Sequence, residues 1–479
     1  MARWSSHLGG AIFCLAVAAG LLPLAFAASD AIAAWPTDPN VNVPLCTAEG
    51  GQGAPDIVSD GAGGAIVVWE DGRRGGDSDI YAQRVDSTGA PSWTVNGVAL
   101  CSATGDQRSP ALVSDGAGGA IVVWQDHRAG PNRDVYAQRV GADGTPLWTA
   151  DGVSLTAAAD DQMNSRIVAD GHGGAIVAWE DRRSGYSTDI YAQRVDSAGA
   201  VMWAVDGVPV CIAPGDQLIP EMASDGSGGV IVTWQDGRRP GDRTDIYAQR
   251  VGKAGRRLWA AAGVAVCTDV DPPTHPLPAA DGAGGAIVVW DDGEIFGQRM
   301  NGAGKPLWTA GGVSLSDDYG AIPRVIADGA RGAIVTWQDD RGGEDHGIVH
   351  VQRIGGNGKP LWPTGGVTAC SAASLETYAT LDSDDAGGVI VTWEDRRDES
   401  FADIYAQRVD STGTTLWITS GLLLCTLPRG QYAPAIVSDG AGGAIVAWQD
   451  ERAGRHIYAQ RVDGAGQLGG TVHVPGGRR

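Results

Sequence analysis

Carboxylates and guanidinium groups return along this chain at fixed spacing. Such groups can grip a ligand or lock a fold. Asp60, Asp115, Asp170, Asp225, Asp281, Asp328, Asp384 and Asp439 each open a Gly-rich turn. Asp71, Asp126, Asp181, Asp236, Asp292, Asp339, Asp395 and Asp450 each follow a Trp by two residues, and in seven of the eight cases an Arg follows two residues later, as in Asp71-Gly72-Arg73. A Gln-Arg pair recurs at Arg84, Arg139, Arg194, Arg250, Arg299, Arg353, Arg408 and Arg461. A catalytic or ligand site needs unlike groups converging on one spot. A group present eight times at one place in a repeat points at eight spots. Asp71, Arg84 and their equivalents therefore read as structural, with Arg forks set on carboxylates and backbone.

The elements that must position these groups follow from the period. Trp69, Trp124, Trp179, Trp234, Trp290, Trp337, Trp393 and Trp448 are separated by 55, 55, 55, 56, 47, 56 and 55 residues. A fixed period of this length means a solenoid, propeller or array. Each repeat holds four short runs rich in Val, Ile, Tyr and Trp, broken by Asp-Gly and Gly-rich turns. Such runs predict a four-stranded antiparallel meander, a to d. Strands a and b are apolar almost continuously, which predicts cover on both faces.

Eight such sheets predict an all-β fold, a single eight-bladed β-propeller over 28–470 with repeats starting near 54, 109, 164, 219, 275, 322, 378 and 433. The eighth repeat ends after its strand c, and residues 35–46 carry the missing strand d. The ring is then closed by the N-terminal strand; Gly470 to Val474 is the competing closure. A second Trp per blade supports this count: Trp35, Trp93, Trp148, Trp203, Trp259, Trp308, Trp362 and Trp417. All sixteen read as blade glue, each burying roughly 150–250 Å².

Gly supplies 72 of the 479 residues while apolar residues supply 43%, a pairing that suits many short strands and tight turns rather than disorder. The net charge of −22 opposes nucleic acid and anionic membranes and favours cations or basic partners. Residues 1–27 read as a secretory signal peptide: Arg3 and His7, an apolar stretch from Ala11 to Phe26, and Ala25-Phe26-Ala27 as cleavage site. No other segment is apolar enough to span a membrane. The expectation is an exported monomer, secreted, periplasmic or on the cell surface, with residues 471–479 as a tail. Cys46, Cys101, Cys211, Cys267, Cys370 and Cys425 each lie 23 residues before a repeat Trp, and Thr156 and Ser316 end the corresponding runs of the other two repeats. They read as small buried side chains rather than disulfides, because neighbouring sheets stand about 10 Å apart.

Function is sought where the pattern breaks. With strand a innermost, the a–b and c–d turns share a monotonous face, and the b–c and d–a loops share a variable one. His127, Tyr186, His346 and Phe401 fall in b–c loops; His275, Tyr319, Tyr378 and Tyr432 are expected in d–a loops. Exposed aromatics among carboxylates suit recognition of a protein or a carbohydrate. No catalytic residue stands out: Gly-x-Ser-x-Gly, His-Glu-x-x-His and phosphate-loop patterns are missing. No cofactor is required. No metal is expected: the dense acidic stretches at Asp382, Asp384 and Asp385 and at Asp339, Asp340, Glu344 and Asp345 read as solvated loops, with calcium as the alternative they would suit. The expected function is a non-enzymatic binding scaffold working through the variable face. The alternative is a glycan hydrolase or lyase using loop carboxylates about 5–9 Å apart.

The motif Ser-Asp-Gly-x-Gly-Gly-Ala-Ile-Val-x-Trp-x-Asp-x-Arg, followed by Asp-Ile-Tyr-Ala-Gln-Arg, Leu-Trp and Gly-Val-x-Leu-Cys, resembles a tandem repeat of exported bacterial proteins, mostly of unassigned function. The resemblance covers about residues 35–466 and implies an exported propeller. The Tyr-Ala-Gln-Arg…Trp hairpin is also similar to the tryptophan-docking repeat of eight-bladed quinoprotein dehydrogenases, but the adjacent cysteines those enzymes use do not occur here. Sialidase-type propellers are similar only in their Asp-and-Trp turns. A shared fold does not supply an activity.

Overall fold

The computed structural model describes residues 34–241, 243–268, 273–316, 319–339, 347–370, 376–397 and 401–470. The expected signal peptide, the expected tail and all of the competing closure but Gly470 lie outside them. Among the described residues the regular elements are thirty-two strands in eight four-stranded antiparallel sheets. In blade one, strands a to d are Gln52–Ser59, Ala65–Asp71, Asp79–Val85 and Val98–Cys101.

Strand b is a run of β-branched residues ending in Trp, which suits a strand covered on both sides. Ala65 to Trp69 are fully buried. At one end the chain reverses through Gly61 and Gly63, at φ 72° and 83°. Asp60 Oδ1 accepts the N–H groups of Ala62 and Gly64, both at 2.8 Å, and Asp60 Oδ2 takes Arg84 Nη2 from strand c at 2.7 Å. At the other end Asp71 accepts Trp69 Nε1 at 2.8 Å and the Arg73 fork at 2.8 and 2.6 Å. The Arg73 guanidinium lies 3.8 Å from the centre of the Tyr81 ring. The turn-end clamp is present in all eight blades, and the second is seen in blades one to four, seven and eight; blade five has Glu294 where the Arg would stand.

Other repeated residues join blades. Trp93 Nε1 donates to the Ala142 carbonyl of blade two at 3.0 Å, and its ring covers Gly144, where a Cβ would come within 2.7 Å of it. Cys46, from the strand before blade one, meets that blade's clamp, with Arg73 Nη2 at 3.2 Å from its Sγ. The six described cysteines are all buried. Burial pushes the Cys46 and Cys211 thiols up to about 11 and that of Cys101 to about 12, which leaves them unreactive. Closure follows the N-terminal route: Val43–Cys46 pairs with strand c of blade eight, His456–Val462, and Trp35 bridges Gly470.

Strands a pack against one another around the ring and form its inner wall. Two expectations change here. Strand a is only half-buried, because one side looks into the central channel. It also starts earlier than the apolar run suggests. His275, Tyr378 and Tyr432, expected in loops, lie inside the strands Thr274–Ala280, Glu376–Ser383 and Gln431–Ser438. The cause is a β-bulge: the register with strand b shifts between Gly53 and Asp56 in blade one, and equivalently in the other seven. An extra residue breaks the period-two pattern by which a strand is recognised.

The residue after the strand-b Trp alternates around the ring. Odd blades carry an acid (Glu70, Glu180, Asp291, Glu394) and even blades carry Gln125, Gln235, Gln338 and Gln449. The acids reach the next blade's bulge. Glu70, Glu180 and Glu394 each accept an N–H at 2.7 Å, from Ser109, Ile219 and Ala433, and Asp291 accepts that of Ile322 at 3.0 Å.

Candidate functional site

The bulges set eight residues at one end of the inner wall, on the variable face. They are Ala54, Ser109, Asn164, Ile219, His275, Ile322, Tyr378 and Ala433, each fifteen residues before its blade's Trp. Every one has a left-handed backbone, with φ between 50° and 54°. That conformation costs a non-Gly residue about 1–2 kcal/mol and is least suited to β-branched side chains such as Ile. It turns the side chain out of the sheet, and all of these residues except Ile219 are classed as exposed. The ring is lopsided: blades four to seven present Ile219, His275, Ile322 and Tyr378, while blades eight to three present small groups.

Two residues further along, one step deeper, comes a second unlike set: Asp56, Ala111, Arg166, Glu221, Leu277, Arg324, Thr380 and Ala435. Arg166 and Glu221 pair across blades three and four at 2.8 Å. Asp56 accepts the N–H of Leu112 from blade two at 3.3 Å, and burial pushes its carboxyl up to about 6. Arg324 Nη1 donates to the Pro323 carbonyl at 2.9 Å, and its charge is felt with those of Glu221 and Arg166, two and three blades away. Desolvation lowers its pKa. At the mouth His275 Nδ1 lies 3.2 Å from Asp291 Oδ2, a hydrogen bond that raises the imidazole pKa.

The predicted residues spread over this face without forming one pocket. Tyr186 is fully exposed and stands on a cavity of about 430 Å³ that is also lined by Asn132, Asp160, Asp161, Arg182 and Asp216. Asp161 is held below the usual carboxylate range there by Arg133, at 3.0 Å. Tyr319 lines a second cavity of about 450 Å³ with Thr274, Asp291 and Asp292. Tyr378 is 61% exposed on the mouth ring, and Phe401 is half-exposed in a b–c loop. His127 belongs to a loop on the same face, and its N–H donates to the Asp106 carbonyl. Tyr432 leans over Gly430, where a Cβ would meet its ring. His346 lies outside the described residues.

The carboxylates of the acidic stretch at 382–385 are each engaged separately. Asp384 is the buried turn carboxylate bonded to Arg408, Asp382 accepts the N–H groups of Ser383 and Ser438, and Asp385 takes the Ser438 hydroxyl. Asp339 faces His350 Nε2 at 3.6 Å, while Asp340, Glu344 and Asp345 lie outside the described residues. Among the described residues the one group with metal-ligand spacing is Cys370, Glu376 and Asp395. Both Asp395 oxygens already hold the Arg397 fork, whose Nη2 is 3.5 Å from Cys370 Sγ. A guanidinium therefore occupies the space a cation would need. Burial pushes Glu376 up to about 8. Asp79, Asp134 and Asp189, pushed up to about 6 by burial, share one repeated position and belong to the scaffold.

The channel wall was missed by reading loops alone. Its signal was present in the sequence. When the repeats are aligned on their Trp, columns thirteen and fifteen residues upstream hold unlike residues, whereas strands b and c repeat.

No family model matches the chain, and no curated protein matches it in sequence. Solved structures do resemble it. A lectin from Burkholderia pseudomallei is 14% identical, covering 76% of this chain and 97% of its own, with a TM-score of 0.48. A polysaccharide lyase, an ulvan lyase, is 12% identical over 91% of this chain and 97% of its own, at 0.46. A protein of unknown function from Dyadobacter fermentans is 11% identical over 88% and 98%, at 0.41. At these values the likenesses carry no argument about ligand or activity.

Proposed function

We propose that the chain is an exported, non-catalytic β-propeller that binds a carbohydrate through its variable face, centred on the channel mouth. One observation carries this reading: eight strained bulges place side chains of six kinds at the same end of a repeated scaffold. Retained strain of this kind is a pointer to function, and bulges re-aim side chains beside binding sites. A sugar is favoured over a protein because the exposed aromatics are spread round the ring, with Tyr186 on blade three, Tyr319 ahead of blade six, and Tyr378 and Phe401 on blade seven. Tyr186 and Tyr319 each stand beside carboxylates in a cavity of a few hundred Å³. A sugar ring offers one apolar face and a rim of hydroxyls that such a setting can satisfy.

A glycan array tests the reading. The wild-type protein is expected to retain a defined set of oligosaccharides, and Tyr378→Ala is expected to weaken that set at least tenfold with an unchanged melting curve. If the protein retains no glycan, or if the variant's profile matches the wild type, the reading fails.

A further inference from the structure

The charges of the inner wall can be paired off one by one, and one remains. Glu221 is matched by Arg166 at 2.8 Å. Asp56 is met by the N–H groups of Ile57 and Leu112, and Asp382 by those of Ser383 and Ser438. Asp291 is met by His275 and the N–H of Ile322. Arg324 makes no ion pair among the described residues, the Glu221 carboxylate that acts on its charge being already bonded to Arg166; of its five N–H donors it places one on the neighbouring Pro323 carbonyl. The charged group of the wall with hydrogen bonds left to make is therefore the Arg324 guanidinium. A guanidinium drawn away from bulk water without a bonded counter-ion is costly, and a planar anion would complete it with two parallel bonds. On the same strand the bulge at Ile322 separates Arg324 from the mouth, where His275 and Tyr378 stand on the blades to either side.

We infer that Arg324 is the seat for the carboxylate or sulfate of an acidic sugar, whose ring rests at the mouth against Tyr378. This rests on the carbohydrate reading above and narrows it to acidic glycans. The net charge of −22 repels a long polyanion, so the seat suits a single acidic residue at the end of a short chain.

The test uses the intact protein on an array of neutral, uronate-bearing and sulfated oligosaccharides, with titration calorimetry on the strongest. Acidic glycans are expected to dominate. Arg324→Gln should weaken them about tenfold or more and leave neutral ones unchanged, Arg324→Lys should recover part of the loss, and Tyr378→Ala should weaken both kinds. Melting curves of all three variants verify folding. Binding confined to neutral glycans, or acidic binding indifferent to Arg324→Gln, overturns the anion seat and leaves the carbohydrate reading standing. A wild-type protein that binds no glycan overturns both.

Discussion

The two ends of the inner hairpins face the same backbone problem and solve it differently. At the a–b turns each blade needs two residues in the left-handed region, and glycine supplies them in nearly every case; Arg331 and Asp385 are the exceptions. At the bulges each blade needs one such residue, and none of the eight is glycine. Glycine would remove the strain at either end. Its use at one end and avoidance at the other separate a surface selected for folding from a surface where a side chain is required.

Removing the turn carboxylate should give the largest effect. Asp60→Ala leaves Arg84 unpaired and two turn N–H groups unmet, and should cost about 3–5 kcal/mol in urea unfolding. A loss below about 1 kcal/mol would mean that the turn face is not the structural one.

Next comes Glu376→Gln, at the bulge end. Five blades hold Gln at this position, where, for example, Gln107 Nε2 donates to the Gly105 carbonyl. Burial raises the Glu376 pKa from 4.5 to about 8. Between those values the folded state holds a proton that the unfolded chain has lost. Wild-type stability therefore falls as pH rises through that window, and the full penalty is present above it. The variant should match the wild type near pH 5 and exceed it by a few kcal/mol, roughly, at pH 9. An equal difference at both pH values would refute the burial argument.

The two smallest effects sharpen the contrast most. Gly61→Ala meets no atom within 4 Å, so its cost is conformational, about 1–2 kcal/mol. Tyr378→Gly trades relief of the same strain against glycine's entropy and should change stability by less than about 1 kcal/mol, while abolishing glycan retention. If Tyr378→Gly proves as destabilising as Asp60→Ala, Tyr378 belongs to the scaffold and the contrast between the ends dissolves.

Most of the architecture was legible because repetition amplifies it. The Trp spacing, the Asp–Arg clamps and the stray strand at Trp35 each have one physical reading. What stayed hidden was local. A bulge has no sequence mark when its residue can be Ala, Ile or Tyr, so strand a seemed shorter than it is, and Tyr378 was assigned to a loop. Arg324 went unnoticed for a related reason: a lone Arg within an apolar strand looks like noise until seven counterparts are set beside it. Tyr186, by contrast, lies in a loop that varies openly, and it emerged fully exposed.

The acid–amide alternation gives the ring a parity. Each blade has a neighbour of the opposite kind on either side, so the unit that is fitted to itself is a pair, 110 residues from Trp69 to Trp179. Losing one blade would bring two like blades together at a single mismatched seam. Losing a pair would leave every seam matched. Copying or deleting DNA in such paired lengths changes the circumference without rewriting any joint, and relatives of this chain should differ from it by even numbers of blades.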